Sequence, residues 1–295
     1  MSRFHYNTIY IIESLDSSEF HTGTKLYETV KTFEFKYPGV KTFLMLPATK
    51  IELFKVLSLI NNSVQNHNFL PIIHLEMHGD SNGIECANKE FITWEELYPY
   101  FIEINIKLKN TLLITTGICF GANFYFKADI NKRAPFFSII SSVEEITNKV
   151  ILESYEGFYN ELLRSENINN ALNHLNLDFL RPTHNELILK PLIIGLINDY
   201  KKSIDNLPNL IKSFPIQLND KAYNEIYNKL LDDYNHDFIE KLKSLWIKFL
   251  MLDLYPENQE EHKSINEFLI ENINKAEIEE DFKINLIKIV KIQSQ

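Results

Sequence analysis

Residues 69–79 read FLPIIHLEMHG, and residues 111–121 read TLLITTGICFG. Each is a near-continuous apolar run that ends on a residue able to do chemistry beside a glycine. The first ends in His78-Gly79 and the second in Cys119-Phe120-Gly121. Apolar runs without alternation describe strands covered on both faces, as in parallel sheets. In an open α/β sheet the ligand site lies beyond the carboxyl ends of the strands. Both endings therefore fall where a site belongs.

Working outward, Thr8–Glu13 (TIYIIE), Val40–Leu46 (VKTFLML) and Phe136–Ser141 (FFSIIS) add three strands to Phe69–Met77 and Thr111–Cys119. Helical spacing covers Gly23–Phe35 and Lys50–Asn61, the latter with Leu53, Val56, Leu57 and Ile60 on one face. Strands separated by helices imply parallel βαβ units. Residues 80–90 (DSNGIECANKE) interrupt the pattern, and Asn82-Gly83 favours a hairpin there. Thr93 reads as an N-cap, with Glu95 and Glu96 in the first turn of a helix running to about Leu108.

After Ile151 the strand signal fades, and Glu156–Leu163 and Ile168–Leu177 read as helices. From Glu186 the chain reads as helix: Leu187–Lys201, Ala222–Asp233, Asp237–Leu254, Glu260–Ile273 and Ile278–Ile292, punctuated by Pro208, Pro215 and Pro256. The expected organisation is an α/β domain over 1–185, its mostly parallel sheet flanked by helices, followed by an all-α region over 186–295.

Composition narrows the function. Forty acidic against 30 basic residues give a net charge of -10, which repels phosphates and argues against direct nucleic-acid binding. No window reaches the roughly 18 apolar residues of a membrane helix. The early run Ile9–Ile12 is too short for a signal-peptide core, so a cytoplasmic location is expected. The two cysteines, Cys86 and Cys119, make neither a disulfide framework nor a zinc site. Phosphate-binding glycine loops and the H-E-x-x-H zinc motif are absent, so neither a metal nor a cofactor is expected.

What remains is thiol chemistry. A cysteine attacks as the thiolate, and a nearby imidazole takes its proton and later returns one to the leaving amine. His78 and Cys119 are the candidate pair, and the N–H groups of Gly79 and Cys119 are candidate donors to an oxyanion. Gly121 would permit a tight turn after the nucleophile. His74 lies four residues before His78 on the same strand face, either supporting the site from behind or as an ordinary satisfied buried histidine. Glu13, Asp80, Glu144 and Glu145 are candidate rim carboxylates that would favour a basic P1 side chain. Each also reads as a solvated surface group. Cys86 reads as incidental.

Over about residues 5–177 the chain resembles the caspase-like (clan CD) cysteine peptidases, and within them the bacterial CHAT-type branch. The resemblance is carried by His74-x-x-x-His78-Gly79, by Ile92-Thr93-Trp94-Glu95-Glu96-Leu97, by the apolar run into Cys119-Phe120-Gly121, and by Gly157–Leu163 with Ile168–Leu172. Ile118 stands where that branch usually has a small residue, and Thr116-Gly117 where it often has Ser. The resemblance implies a caspase-like fold, His78 as catalytic base and Cys119 as nucleophile, and an endopeptidase acting on a protein partner. It also implies regulation, often within bacterial defence or cell death. The helical region would then dock a regulatory partner. The alternative is a catalytically inactive scaffold for interaction or signalling.

Overall fold

The computed structural model describes residues 5–129, 131–213, 219–261 and 264–292. The chain divides into two compact units, one of residues 1–129 and 133–185, the other of 130–132 and 186–295.

The first unit is built on strands β1 (Thr8–Ser14), β2 (Lys41–Met45), β3 (Pro71–Gly79), β4 (Gly83–Glu85), β5 (Phe91–Thr93), β6 (Leu113–Thr116), β7 (Ser138–Ser142) and β8 (Leu180–His184). Helices α1 (Thr22–Lys36), α2 (Lys50–His67), α3 (Trp94–Lys107), α4 (Asn123–Phe126), α5 (Asn148–Ser165) and α6 (Ile168–Leu172) connect them. The main sheet runs β2-β1-β3-β6-β7-β8. Its pairs are parallel except for β7 with β8, and β4 and β5 form an antiparallel hairpin on the end of β3. The sheet is thus mixed but mostly parallel. Strands β1 and β7 are buried along their whole length, and β3 as far as Met77, which explains the apolar runs Ile9–Ile12 in β1 and Pro71–Ile73 in β3.

Local sequence fixes the helix starts. Thr49 with Glu52 and Thr93 with Glu96 form reciprocal capping boxes at α2 and α3, satisfying first-turn N–H groups that have no helical acceptor. Helix α1 has no side-chain cap of its own. Glu13, at the end of β1, supplies one: Oε1 accepts from the Thr24 N–H at 3.1 Å and Oε2 from the Thr24 hydroxyl at 2.6 Å. A carboxylate there also opposes the positive end of the helix dipole. Helices α1 and α5 cover one face of the sheet, where Ile9, Ile11 and Ile72 pack with Leu26, Val30, Tyr155, Phe158 and Tyr159.

The second unit is helical: α7 (Asn185–Asp205), α8 (Leu207–Lys212), α9 (Asp220–Phe249), a 3-10 turn at Pro256–Glu261, α10 (Ile265–Lys275) and α11 (Glu280–Ile292). Ile239, Leu242, Trp246 and Phe249 of α9 are buried, as are Phe268, Leu269 and Ile273 of α10 and Leu286 of α11. Pro208 is the second residue of α8, and Pro256 begins the 3-10 turn. Pro215 lies outside the described residues.

Three sequence expectations need correction. The run 111–119 is not strand throughout: β6 stops at Thr116, and Cys119 sits in the loop beyond it. The two helices read at 222–233 and 237–254 are one continuous helix, because Asn235 and His236 are tolerated within it. Strand β8 carries no apolar alternation, since its sequence LRPTH places Pro182 in the middle. That is permitted on an edge strand, where one side of the backbone needs no ladder partner.

Candidate functional site

Strand β3 outlasts its neighbour β6. Their register ends at Leu75 opposite Thr116, while β3 continues to Gly79. Ile72 packs under α1 and α5, and side chains two apart share a strand face, so His74, Glu76 and His78 follow it there. His78 is half-exposed at the strand end, with 52% of its side chain accessible, and Cys119 is partly buried against the same apolar cluster. The two candidate catalytic residues therefore stand at one end of the sheet and on one face.

Their backbones adjoin. A Cβ added to Gly79 would overlap Cγ2 of Ile118 and lie 3.4 Å from the Cys119 carbonyl oxygen. A side chain at 79 would therefore separate the two segments. Asp80 N–H donates to the Gly83 carbonyl at 2.9 Å, which makes the next pair, Gly79 with Ile84, a non-hydrogen-bonded pair of the antiparallel ladder. The Gly79 N–H is consequently directed away from β4. The two expected oxyanion donors, Gly79 and Cys119, thus come from neighbouring backbones.

The loop carrying Cys119 is tied down. Phe120 N–H donates to Glu144 O at 3.2 Å, and Ala122 N–H to Ser142 O at 2.8 Å. The turn after the cysteine is made by Phe120, at φ +57°, and not by Gly121. Gly121 is needed for space: a Cβ there would lie 2.7 Å from the Thr116 hydroxyl. The Cys119 Sγ lies 3.9 Å from the Ile146 carbonyl. Cys86 contrasts with it: it is 1% exposed, and burial pushes its thiol pKa up.

His78 has a partner that the sequence did not suggest. Its Nε2 is 2.7 Å from Oε1 of Glu19, on the loop between β1 and α1. That hydrogen bond holds the Glu19 carboxyl below its ordinary range.

Beneath the site runs a chain of buried polar groups. The Tyr159 hydroxyl meets Thr115 Oγ1 at 2.8 Å, which meets His74 Nδ1 at 2.7 Å. His74 Nε2 lies 2.9 Å from Glu76 Oε1, and the Thr22 hydroxyl donates to Glu76 Oε2 at 2.8 Å. His74 is fully buried and its edge meets the Tyr155 ring. Of its two readings, the satisfied buried histidine describes its partners directly. Glu76 links it to Gly117, two residues before Cys119, as a Cβ on Gly117 would collide with both Glu76 oxygens.

The four expected rim carboxylates separate. Glu13 is not on a rim: it is 1% exposed, holding Thr24 and, at 2.9 Å, His21. Asp80 is exposed, but its Oδ1 accepts from the N–H groups of Asn82 and Gly83, which fixes the β3–β4 turn. Glu144 and Glu145 are exposed on the loop after β7, whose backbone contacts Phe120. Of the carboxylates in this region, the one recorded against a candidate catalytic side chain is Glu19, on His78.

Glu19 and Glu76 were missed by sequence reasoning. Glu76 had a signal: a carboxylate between two histidines on a strand buried on both faces must be paired inside. Glu19 had none, because its loop shows no periodicity. Among the described residues, no group of three or more His, Cys, Asp or Glu stands ready to hold a metal ion. No described helix is long and apolar enough to cross a membrane. Compared with models of known protein families and with curated proteins, the chain matches none.

Proposed function

We propose that the chain is a caspase-like cysteine endopeptidase acting on a protein partner, with His78 as base and Cys119 as nucleophile. The observation that carries this reading is the juxtaposition of the His78-Gly79 and Ile118-Cys119 backbones at one sheet end. His78 takes the thiol proton. The thiolate forms a C–S bond to the scissile carbonyl carbon, and the carbonyl electron pair moves to oxygen, facing the Gly79 and Cys119 N–H groups. Collapse breaks the C–N bond, and the imidazolium gives its proton to the departing amine. Water, deprotonated by His78, then attacks the thioester and releases the acid and the thiol. The residues name no cofactor for these steps.

A basic P1 residue is proposed, with Glu144 and Glu145, exposed on the loop whose backbone bonds Phe120, as the candidate carboxylates. Helices α7 to α11 are proposed as the docking region for a regulatory partner, in a cytoplasmic defence or cell-death setting.

The test is a P1-varied peptide library offered to wild type and to Cys119→Ala. Cleavage after Lys or Arg by wild type alone supports the reading, and an inert wild type with an unreactive Cys119 removes it. A second reading, an inactive scaffold of the same fold that acts in interaction or signalling, is favoured by one observation. Ile118 is fully buried against Gly79, where the resembling family usually has a small residue.

A further inference from the structure

We propose that Glu19 is the positioning residue of this site, a third member that grips the His78 imidazole through Nε2 and leaves Nδ1 to exchange a proton with Cys119. The inference rests on the His78–Cys119 reading and adds to it a carboxylate from a separate loop.

The contact is short, at 2.7 Å, and joins the β1–α1 loop to the end of β3. An imidazole has only two nitrogens. With Nε2 occupied by a carboxylate, Nε2 keeps the proton and Nδ1 carries the lone pair, which is the form a base needs toward a thiol. When His78 then takes the Cys119 proton, the carboxylate stabilises the resulting imidazolium.

The carboxylate is itself prearranged. Its second oxygen, Oε2, accepts from the Asp16 N–H at 2.8 Å, and its own N–H donates to the Asp16 carbonyl at 2.9 Å. Glu19 thus presents Oε1 to His78 from a closed turn. The side chain of His78 is half-exposed, so without such a tether its ring would be free to rotate. Besides His78, the charged group that acts on Glu19 is Lys89 from the β4–β5 turn; Asp16 bonds its carboxylate through a backbone N–H, and Asp16 in turn feels Lys89 and His21. Lys89 is already engaged by Glu85 at 3.0 Å.

The experiment uses the full chain and needs no substrate. The rate of Cys119 alkylation by iodoacetamide is followed from pH 5 to pH 9 in wild type, Glu19→Gln, Glu19→Asp and His78→Ala, with protonation of the His78 ring nitrogens read by 15N NMR. Glu19→Gln should slow alkylation at neutral pH about tenfold or more, the scale of a lost charge-assisted hydrogen bond. It should also move the rise of the curve toward the free-thiol range and populate both His78 tautomers. Glu19→Asp should restore part of the rate.

A loss confined to folding would lower thermal stability without moving the pH curve or the tautomer ratio, and that outcome overturns the proposal. If His78→Ala slows Cys119 but Glu19→Gln leaves curve and tautomer as in wild type, Glu19 has no positioning role and the pair stands alone. If His78→Ala changes nothing, the pair and this inference fall together.

Discussion

Glu76 lies directly against Gly117: its two carboxylate oxygens occupy the space a side chain at 117 would need. The carboxylate cannot withdraw, because His74 and Thr22 hold one oxygen each and the residue is 1% exposed. The loop that carries Cys119 therefore rests on a fixed buried carboxyl group. Gly117→Ala should lower stability by about 1–3 kcal/mol, the usual cost of overpacking a closed site. Denaturant unfolding would measure this, and an unchanged midpoint would sink the idea.

Replacing the carboxyl group tests the same floor from the other side. Glu76→Gln keeps the shape but sets an amide against His74 Nε2 and the Thr22 hydroxyl. Leaving one buried donor poorly paired should cost about 1–3 kcal/mol. Glu76→Leu should cost more, since it orphans both partners. Equal stability of the two variants would mean that the polar chain contributes only shape.

The two thiols should differ in reactivity. Cys86 is buried, its pKa raised by that burial, whereas Cys119 is partly exposed beside the strand end that carries His78. Thiolate is the reacting form. At neutral pH Cys119 should alkylate at least about tenfold faster than Cys86, on the strength of thiolate fraction and access together. Peptide mapping by mass spectrometry after timed quenching decides the order.

Acid should weaken the Glu19 contact. The folded-state pKa of Glu19 is depressed by its bond to His78. A depressed carboxylate contributes stability that is present above its unfolded value, about 4.3, and lost as pH falls through the lower folded value. The stability difference between wild type and Glu19→Gln should therefore hold at pH 6 and close below about pH 4. A difference that grew on acidification would contradict the assignment.

A control separates stability from chemistry. Thr93→Ala removes the cap of α3, which faces Glu96 and touches neither candidate residue. It should cost about 1 kcal/mol. The Cys119 alkylation rate should stay within twofold of wild type under folding conditions.

The sheet strands were legible because burial on both faces leaves an apolar record, as in Ile9–Ile12 and Pro71–Ile73. The hairpin was legible from Asn82-Gly83 and the start of α3 from Thr93. Strand β8 was hidden because an edge strand needs neither alternation nor an N–H at every position, and LRPTH has neither feature. For the site, His78 and Cys119 could be picked out by the glycines next to them. The role of Glu13 could not, since only the fold brings the end of β1 against the first turn of α1. Glu19 reaches His78 across 59 positions of chain, and no local pattern records such a contact.

Strand β3 lies between β1 and β6, and these three strands bring together residues that are far apart in the chain. Leu75 pairs with Ile12 across 63 positions and with Thr116 across 41. Such non-local pairings close late, because the entropy of a long loop must be met before the contacts repay it. A growing chain on the ribosome would hold His78 before the cysteine loop exists, and a chain halted before β6 would carry only one half of the pair. On the proposed reading the thiol is armed by topology, only after the domain has closed around it.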